Sequence, residues 1–249
     1  MRCFNLKVGD FVTRYKYNHD IVFKILKIEG NKAILQGVKI RLKADSLLSD
    51  LLLVDNKEDS DMQILDFARN SKLINGCVLH LDGDEYYLKK CLKVYKKYDI
   101  PAIGYFMEEK DMPQKITELL ILHKPDVLVI TGHDHVKKDK EKEVFENSKY
   151  FINTVKKARI YQPSKDALVI FAGACQSYYE GLIESGANFA SSPGRMNINV
   201  LDPVYIAINV ARSHVNNFID IEDILKKTVS KGVGLGGIDT RGVARKLYQ

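Results

Sequence analysis

The sequence predicts an α/β protein in two parts: a mostly parallel sheet with helices on both faces, preceded by a small β-barrel. Two patterns carry this reading. From residue 77 onward, five apolar runs of strand length alternate with helical segments; before residue 55, short strands with alternating polarity are punctuated by glycine. Parallel strands covered on both faces read as near-continuous apolar runs, whereas half-exposed antiparallel strands alternate. A length of 249 residues accommodates one domain of ordinary size plus a small module.

From Phe4 to about Val54 the strand candidates are KVGDFVTRYKY, DIVFKILKIEG, NKAILQGV and KIRLKAD, separated by turn signals at Gly9-Asp10, Gly30-Asn31 and Gly37. Their natural closure is an SH3-like β-barrel over residues 1–56, a fold that by itself names no ligand. The charged stretch NKEDSD, 56–61, marks the boundary, and 57–249 form the second domain. A helix is expected from Met62 to Asn75. Strands are then expected over Cys77 to Leu81, Ala102 to Phe106, Asp126 to Thr131, Ala167 to Gly173 and Ala187 to Ser192. Helices are expected over Glu85 to Tyr98, Gln114 to His123, Lys149 to Ala158 and Tyr178 to Ser185. This alternation predicts a flavodoxin-like sheet of order 2-1-3-4-5.

Composition excludes more than it selects. Hydrophobic residues make up 45% and charged residues 28%, a globular balance, and the net charge of +6 comes from bases interleaved with acids, as in Lys137 to Glu143. That pattern describes a solvated surface and not a nucleic-acid groove. The cysteines Cys3, Cys77, Cys91 and Cys175 show no C-x-x-C spacing, so neither a zinc knuckle nor a redox dithiol is expected. MRCFNLKVGD lacks a long apolar run, and no stretch of about 18 apolar residues occurs, so no membrane span and a cytoplasmic location are expected.

Open α/β sheets place their chemistry at the carboxyl ends of the strands. His133 follows one apolar strand by a single Gly, and Cys175 follows another by a single Ala. A neighbouring imidazolium stabilises a thiolate, so adjacent strands ending in this way would supply a nucleophile and its base. Cys175 is also expected to start a helix, whose N-terminal N–H groups would assist an oxyanion. Taken singly, a Cys after an apolar strand is more often core, and a loop His is more often a surface group. The pairing at equivalent strand ends favours catalysis, with Cys175 as nucleophile and His133 as base. His135 competes for the base role. His80 reads as an interior histidine and His123 as a helix-end residue.

Asp82 and Asp84 flank Gly83 at the end of the first parallel strand. They are candidate substrate-binding carboxylates for a basic side chain, or a turn with an N-cap for the next helix. No further carboxylate cluster supports a metal there, and the chemistry needs no metal or organic cofactor. Ser191 to Arg195 forms either a wall of the cleft or a plain turn. KGVGLGGIDTRG lacks the Lys-Ser or Lys-Thr of a P-loop and reads as a flap or an ordered loop near the cleft.

The strings VLVITGHDH and LVIFAGACQS resemble the caspase, legumain and clostripain class of cysteine peptidases, which implies a caspase-like fold with a His–Cys dyad. Where that class carries Gly after the His, this sequence has Asp134. Longer strings, KVGDFVTR, VLHLDGDEYYLKKC, VITGHDH and FAGACQSYYEGLIESGANFASSPGR, resemble the YabG family of sporulation-specific proteases of spore-forming bacteria. That resemblance implies a peptidase of the sporulating cell that trims spore coat or cortex-associated proteins, cuts after basic residues and associates with the coat. Its partners would be protein substrates, with no nucleic acid and no membrane. The competing readings are a non-enzymatic coat assembly protein, and a flavodoxin-like or response-regulator-like domain suggested by the sheet order and the Asp82-Gly83-Asp84 turn.

Overall fold

The computed structural model describes residues 6–55, 73–139 and 142–248. The chain divides into two compact units, Met1–Gln63 and Ile64–Gln249. The expected boundary at 56–61 and most of the expected helix from Met62 to Asn75 lie outside the described residues, as does Cys3.

The first unit contains β1 (Phe11–Arg14), β2 (Phe23–Glu29), β3 (Lys32–Gly37), β4 (Lys43–Leu47) and β5 (Leu51–Leu53). They form one antiparallel sheet of order β4-β3-β2-β1-β5. Alternation puts Val12, Phe23, Ile25, Ala33, Leu35 and Leu51 into a common core. The β2–β3 pairing shifts between Ile25 and Lys27, where one extra residue bulges the strand and turns Leu26 outward. Gly30, at φ +60°, makes the tight turn that lets Glu29 pair with Lys32.

The second unit begins with β6 (Leu73–Ile74), a strand where the sequence pattern suggested the end of a helix. There follow β7 (Val78–Asp82), α1 (Glu85–Lys97), β8 (Ala102–Phe106), α2 (Met112–His123) and β9 (Val127–Thr131). Next come the hairpin β10 (Val136–Asp139) and β11 (Lys142–Phe145), then α3 (Ser148–Tyr161), β12 (Val169–Ala172), α4 (Tyr179–Glu184) and β13 (Phe189–Ser191). The last elements are α5 (Asp202–Arg212), β14 (Phe218–Ile219), α6 (Ile221–Lys226), β15 (Leu235–Gly237), β16 (Thr240–Arg241) and β17 (Arg245–Lys246).

The main sheet has the order β15-β13-β12-β9-β7-β8. Its parallel strands β8, β7, β9, β12 and β13 stand in the 2-1-3-4-5 order expected from the alternation of elements, and β15 adds an antiparallel edge. Alternate residues of the strands face opposite layers. Leu79, Leu81, Leu128, Ile130, Ile170 and Ala172 pack with Met112 and Ile116 of α2, Phe151 and Val155 of α3, and Leu182 of α4. On the other face, α5 lies against β9 and β12 and touches α1. Among the described residues, no helix is long and apolar enough to cross a membrane.

Two features depart from expectation. The segment Asp202–Arg212, where no element was expected, is a helix buried from Asp202 through Ala211. The glycine-rich KGVGLGGIDTRG is not a flap: its Leu235–Gly237 pairs with β13 as an edge strand. Glycine is required there because a Cβ on Gly237 would strike the Phe189 ring and the Asn188 carbonyl, and one on Gly236 would strike the Tyr179 hydroxyl.

Candidate active site

β9 and β12 are parallel neighbours, with Ile130 paired to Ala172. The Gly173 N–H continues the ladder onto the Ile130 carbonyl at 3.0 Å. His133 lies three residues beyond Ile130 and Cys175 three beyond Ala172 (133 − 130 = 175 − 172), so the two loops leave the sheet in step. At Gly173 the chain adopts φ +116°, and a side chain there would collide with the Ser191 carbonyl 2.6 Å away. Only glycine makes this turn.

The Cys175 loop is held by its neighbours. The Ala174 N–H donates to Ser177 Oγ at 2.9 Å, Ser191 Oγ donates to the Ala174 carbonyl at 3.0 Å, and the Gln176 N–H donates to the Met196 carbonyl at 3.2 Å. Cys175 is 2% exposed, with Sγ 3.8 Å from the Ile198 carbonyl. It does not start a helix, as the sequence suggested: the next helix, α4, begins at Tyr179 and is only six residues long. The Ser177 hydroxyl, accepting from the Ala174 N–H, keeps those four residues in a turn.

His133 is partly buried, and its Nε2 lies 2.9 Å from Asp84 Oδ2. Its ring tilts against Tyr87 at 5.9 Å, its N–H donates to Glu109 Oε1 at 2.7 Å, and its carbonyl accepts from Asn147 Nδ2 at 2.9 Å. Asp84 caps α1, Oδ1 accepting from the Tyr86 N–H at 3.0 Å. Asp82 is fully buried; Oδ1 accepts from the Asp84 N–H at 3.0 Å and Oδ2 from Thr131 Oγ1 at 2.9 Å. His135 points elsewhere: its Nδ1 lies 3.1 Å from Gln176 Oε1, on the residue after Cys175. His123 pairs with Tyr105, and His80 lies within the sheet between Tyr95 and Thr131. The chain thus brings His133 to Asp84, and His135 to the cysteine loop.

Three groups make contacts that the sequence did not assign to them. Asp134 is a buried hub: Oδ1 accepts from the N–H groups of His135 and Asn147, and Oδ2 from the hydroxyls of Ser148 and Ser177. Through Ser177 it ties the histidine loop to the cysteine loop. Burial pushes the Asp134 carboxyl above its ordinary range, against the pull of these donors. Glu109 sits across Gly83 and Gly132 in space a Cβ at either glycine would claim, and burial raises its carboxyl too. Arg195 forms a clamp, its Nε and Nη2 donating to Glu143 at 3.0 and 2.9 Å and its Nη2 to Glu180 at 3.0 Å. Its guanidinium lies over the rings of Phe145 and Tyr178, which stack on each other at 5.1 Å. The sequence carries little signal for these contacts, since Glu109 meets His133 from 24 residues away and Arg195 meets Glu143 from 52.

Among the described residues, His80, Asp82 and Cys91 have ligand atoms within 4.8 Å of one another and could converge on a metal ion. Hydrogen bonds already engage both ring nitrogens of His80 and both carboxylate oxygens of Asp82, so a bound ion would have to displace Tyr95 or Thr131.

The sequence model of the family described as YabG peptidase U57 matches residues 7–75 and 59–249. The chain is 44% identical to the sporulation-specific protease YabG of Bacillus subtilis (strain 168), over an alignment of 281 positions that covers 96% of each protein. No solved structure matches the chain.

Proposed function

Because the chain belongs to the YabG peptidase U57 family and is therefore a protease, we propose that it hydrolyses peptide bonds by cysteine nucleophilic catalysis during sporulation. The observation that carries this reading is the parallel pairing of β9 with β12, from which His133 and Cys175 leave at the same step beyond the ladder. Cys175 attacks the substrate carbonyl as thiolate, forming a thioester and releasing the amine; His133 takes the thiol proton and delivers it to that amine. Water then attacks the thioester, giving a proton to His133; the carboxylic acid product leaves, and His133 returns the proton to the Cys175 thiolate.

In this reading Asp84 orients the His133 ring, as the 2.9 Å contact supports, and substrate recognition falls to other groups. The full burial of Asp82 supports the same division. Substrate entry requires the Ile198 carbonyl to leave Cys175 Sγ. The fold is read as caspase-like and the first unit as SH3-like; the substrates are read as spore coat or cortex-associated proteins cut after basic residues. A second assignment, His135 as base, draws support from its bond to Gln176.

The test is cleavage of spore coat extracts by purified variants, with new termini mapped by mass spectrometry. Cys175→Ala and His133→Ala are each expected to lower the rate by at least about a thousandfold, and His135→Ala to retain most of it. Undiminished cleavage by Cys175→Ala would refute the mechanism, and loss confined to His135→Ala would move the base. New termini that do not follow Lys or Arg would remove the basic preference.

A further inference from the structure

The catalytic reading above uses Asp84 and His133, but the hydrogen bonds do not stop at Asp84. The Asp84 N–H donates to Asp82 Oδ1 at 3.0 Å, and Thr131 Oγ1 donates to Asp82 Oδ2 at 2.9 Å. Thr131 Oγ1 in turn lies 2.8 Å from His80 Nε2, and His80 Nδ1 lies 3.2 Å from the Tyr95 hydroxyl. His80, Asp82 and Thr131 are wholly buried, beneath the carboxyl ends of β7 and β9.

The donor directions follow from the groups themselves. Thr131 Oγ1 lies 2.9 Å from Asp82 Oδ2 and 3.4 Å from the Leu81 carbonyl, so its single hydroxyl proton goes to the nearer carboxylate oxygen. His80 Nε2 then carries a proton and donates it to Thr131, and in the neutral ring Nδ1 accepts from the Tyr95 hydroxyl. The chain of bonds runs one way, from the α1 residue Tyr95 through β7 and β9 to Asp82. Asp84 is gripped from both sides, since its own Oδ1 caps α1 through the Tyr86 N–H at 3.0 Å.

We propose that Thr131, His80 and Asp82 are positioning residues for the peptidase reaction: their buried hydrogen-bonded chain fixes Asp84, and through it the imidazole of His133. The inference rests on the assignment of His133 as base. A satisfied buried network holds its members in a single arrangement. Displacing a reacting group by even about 1 Å can cost a hundredfold in rate. The chain spans the two strands whose loops carry Asp84 and His133, so it sets their separation as well as their orientation.

Thr131→Val removes the hydroxyl at nearly constant shape, and Thr131→Ser keeps it. With fluorescently labelled casein as probe, Thr131→Val is expected to lower kcat by roughly tenfold to a hundredfold with KM within about twofold, and Thr131→Ser to restore most of the loss. A Thr131→Val kcat within about twofold of the parent overturns the proposal. Long-range proton–nitrogen correlation spectra of the unmodified protein supply a readout that needs no variant. His80 is expected to carry a proton on Nε2, and a ring protonated on Nδ1 alone overturns the network. Casein cleavage that persists in His133→Ala refutes the base assignment. Cleavage abolished in His133→Ala but unimpaired in Thr131→Val refutes only the positioning role.

Discussion

Gly83 and Gly132 stand at the ends of two neighbouring strands, and the carboxylate of Glu109 fills the space that a Cβ would need at either. The sequence shows both glycines and the glutamate, but not that they meet. What burial does to Glu109 is readable only in the folded chain, where desolvation raises its carboxyl despite the His133 N–H. The sign of the consequence is fixed: the folded state holds this proton more tightly than the unfolded state. Between the ordinary carboxylate range and the raised folded value, Glu109 therefore subtracts stability as pH rises. Glu109→Gln is expected to make the slope of unfolding free energy against pH more positive in that window, by at most about 1.4 kcal/mol per pH unit. Urea titrations from pH 4 to 7 measure this, and an unchanged slope contradicts it. Cys175 and His133, by contrast, were visible in the sequence because reactive residue types at equivalent strand ends form a pattern in one dimension. Asp134 was visible only as a departure from a familiar motif; its four donors come from residues 135, 147, 148 and 177.

The parallel strands and the helices between them were legible because each carries a long apolar run or a helical period. Helix α5 was not: its short apolar run, residues 204–208, reads equally as strand or helix. Hairpin β10–β11 was hidden for the opposite reason, since its charged run reads as plain surface. Its contacts come from elsewhere in the chain. Arg195, in the loop after β13, joins Glu143 of β11 to Glu180 of α4 and stacks over Phe145 and Tyr178. The same loop continues to Met196 and Ile198, whose carbonyls meet the Gln176 N–H and Cys175 Sγ. Releasing the clamp should loosen the cover over the thiol. Arg195→Ala is expected to speed iodoacetamide labelling of Cys175 about fivefold, corresponding to about 1 kcal/mol of easier opening. Peptide mass mapping of the labelled site reads the rate, and equal rates would remove the clamp from control of access.

At the scale of the whole molecule the chain forms two compact units, each with its own core. A unit with its own core unfolds as its own cooperative step. Calorimetry is expected to show two transitions. Leu35→Ala, in the core of the first unit, should lower one of them by about 2–5 kcal/mol and leave the other in place. A single transition displaced as a whole would show one cooperative body. By itself the sequence determined the α/β class of the second unit, the alternation that dictates a parallel sheet, and the placing of a His and a Cys at equivalent strand ends. These are local or periodic properties, set by strand and helix geometry within a few residues. Only the tertiary structure decided that Asp84 faces His133, that Asp82 and Thr131 are sealed beneath it, that β15 closes the sheet edge and that Arg195 bridges a hairpin and a helix. Most of those contacts join residues more than 40 positions apart. They depend on strand order and register, which place side chains together without leaving a period in the sequence.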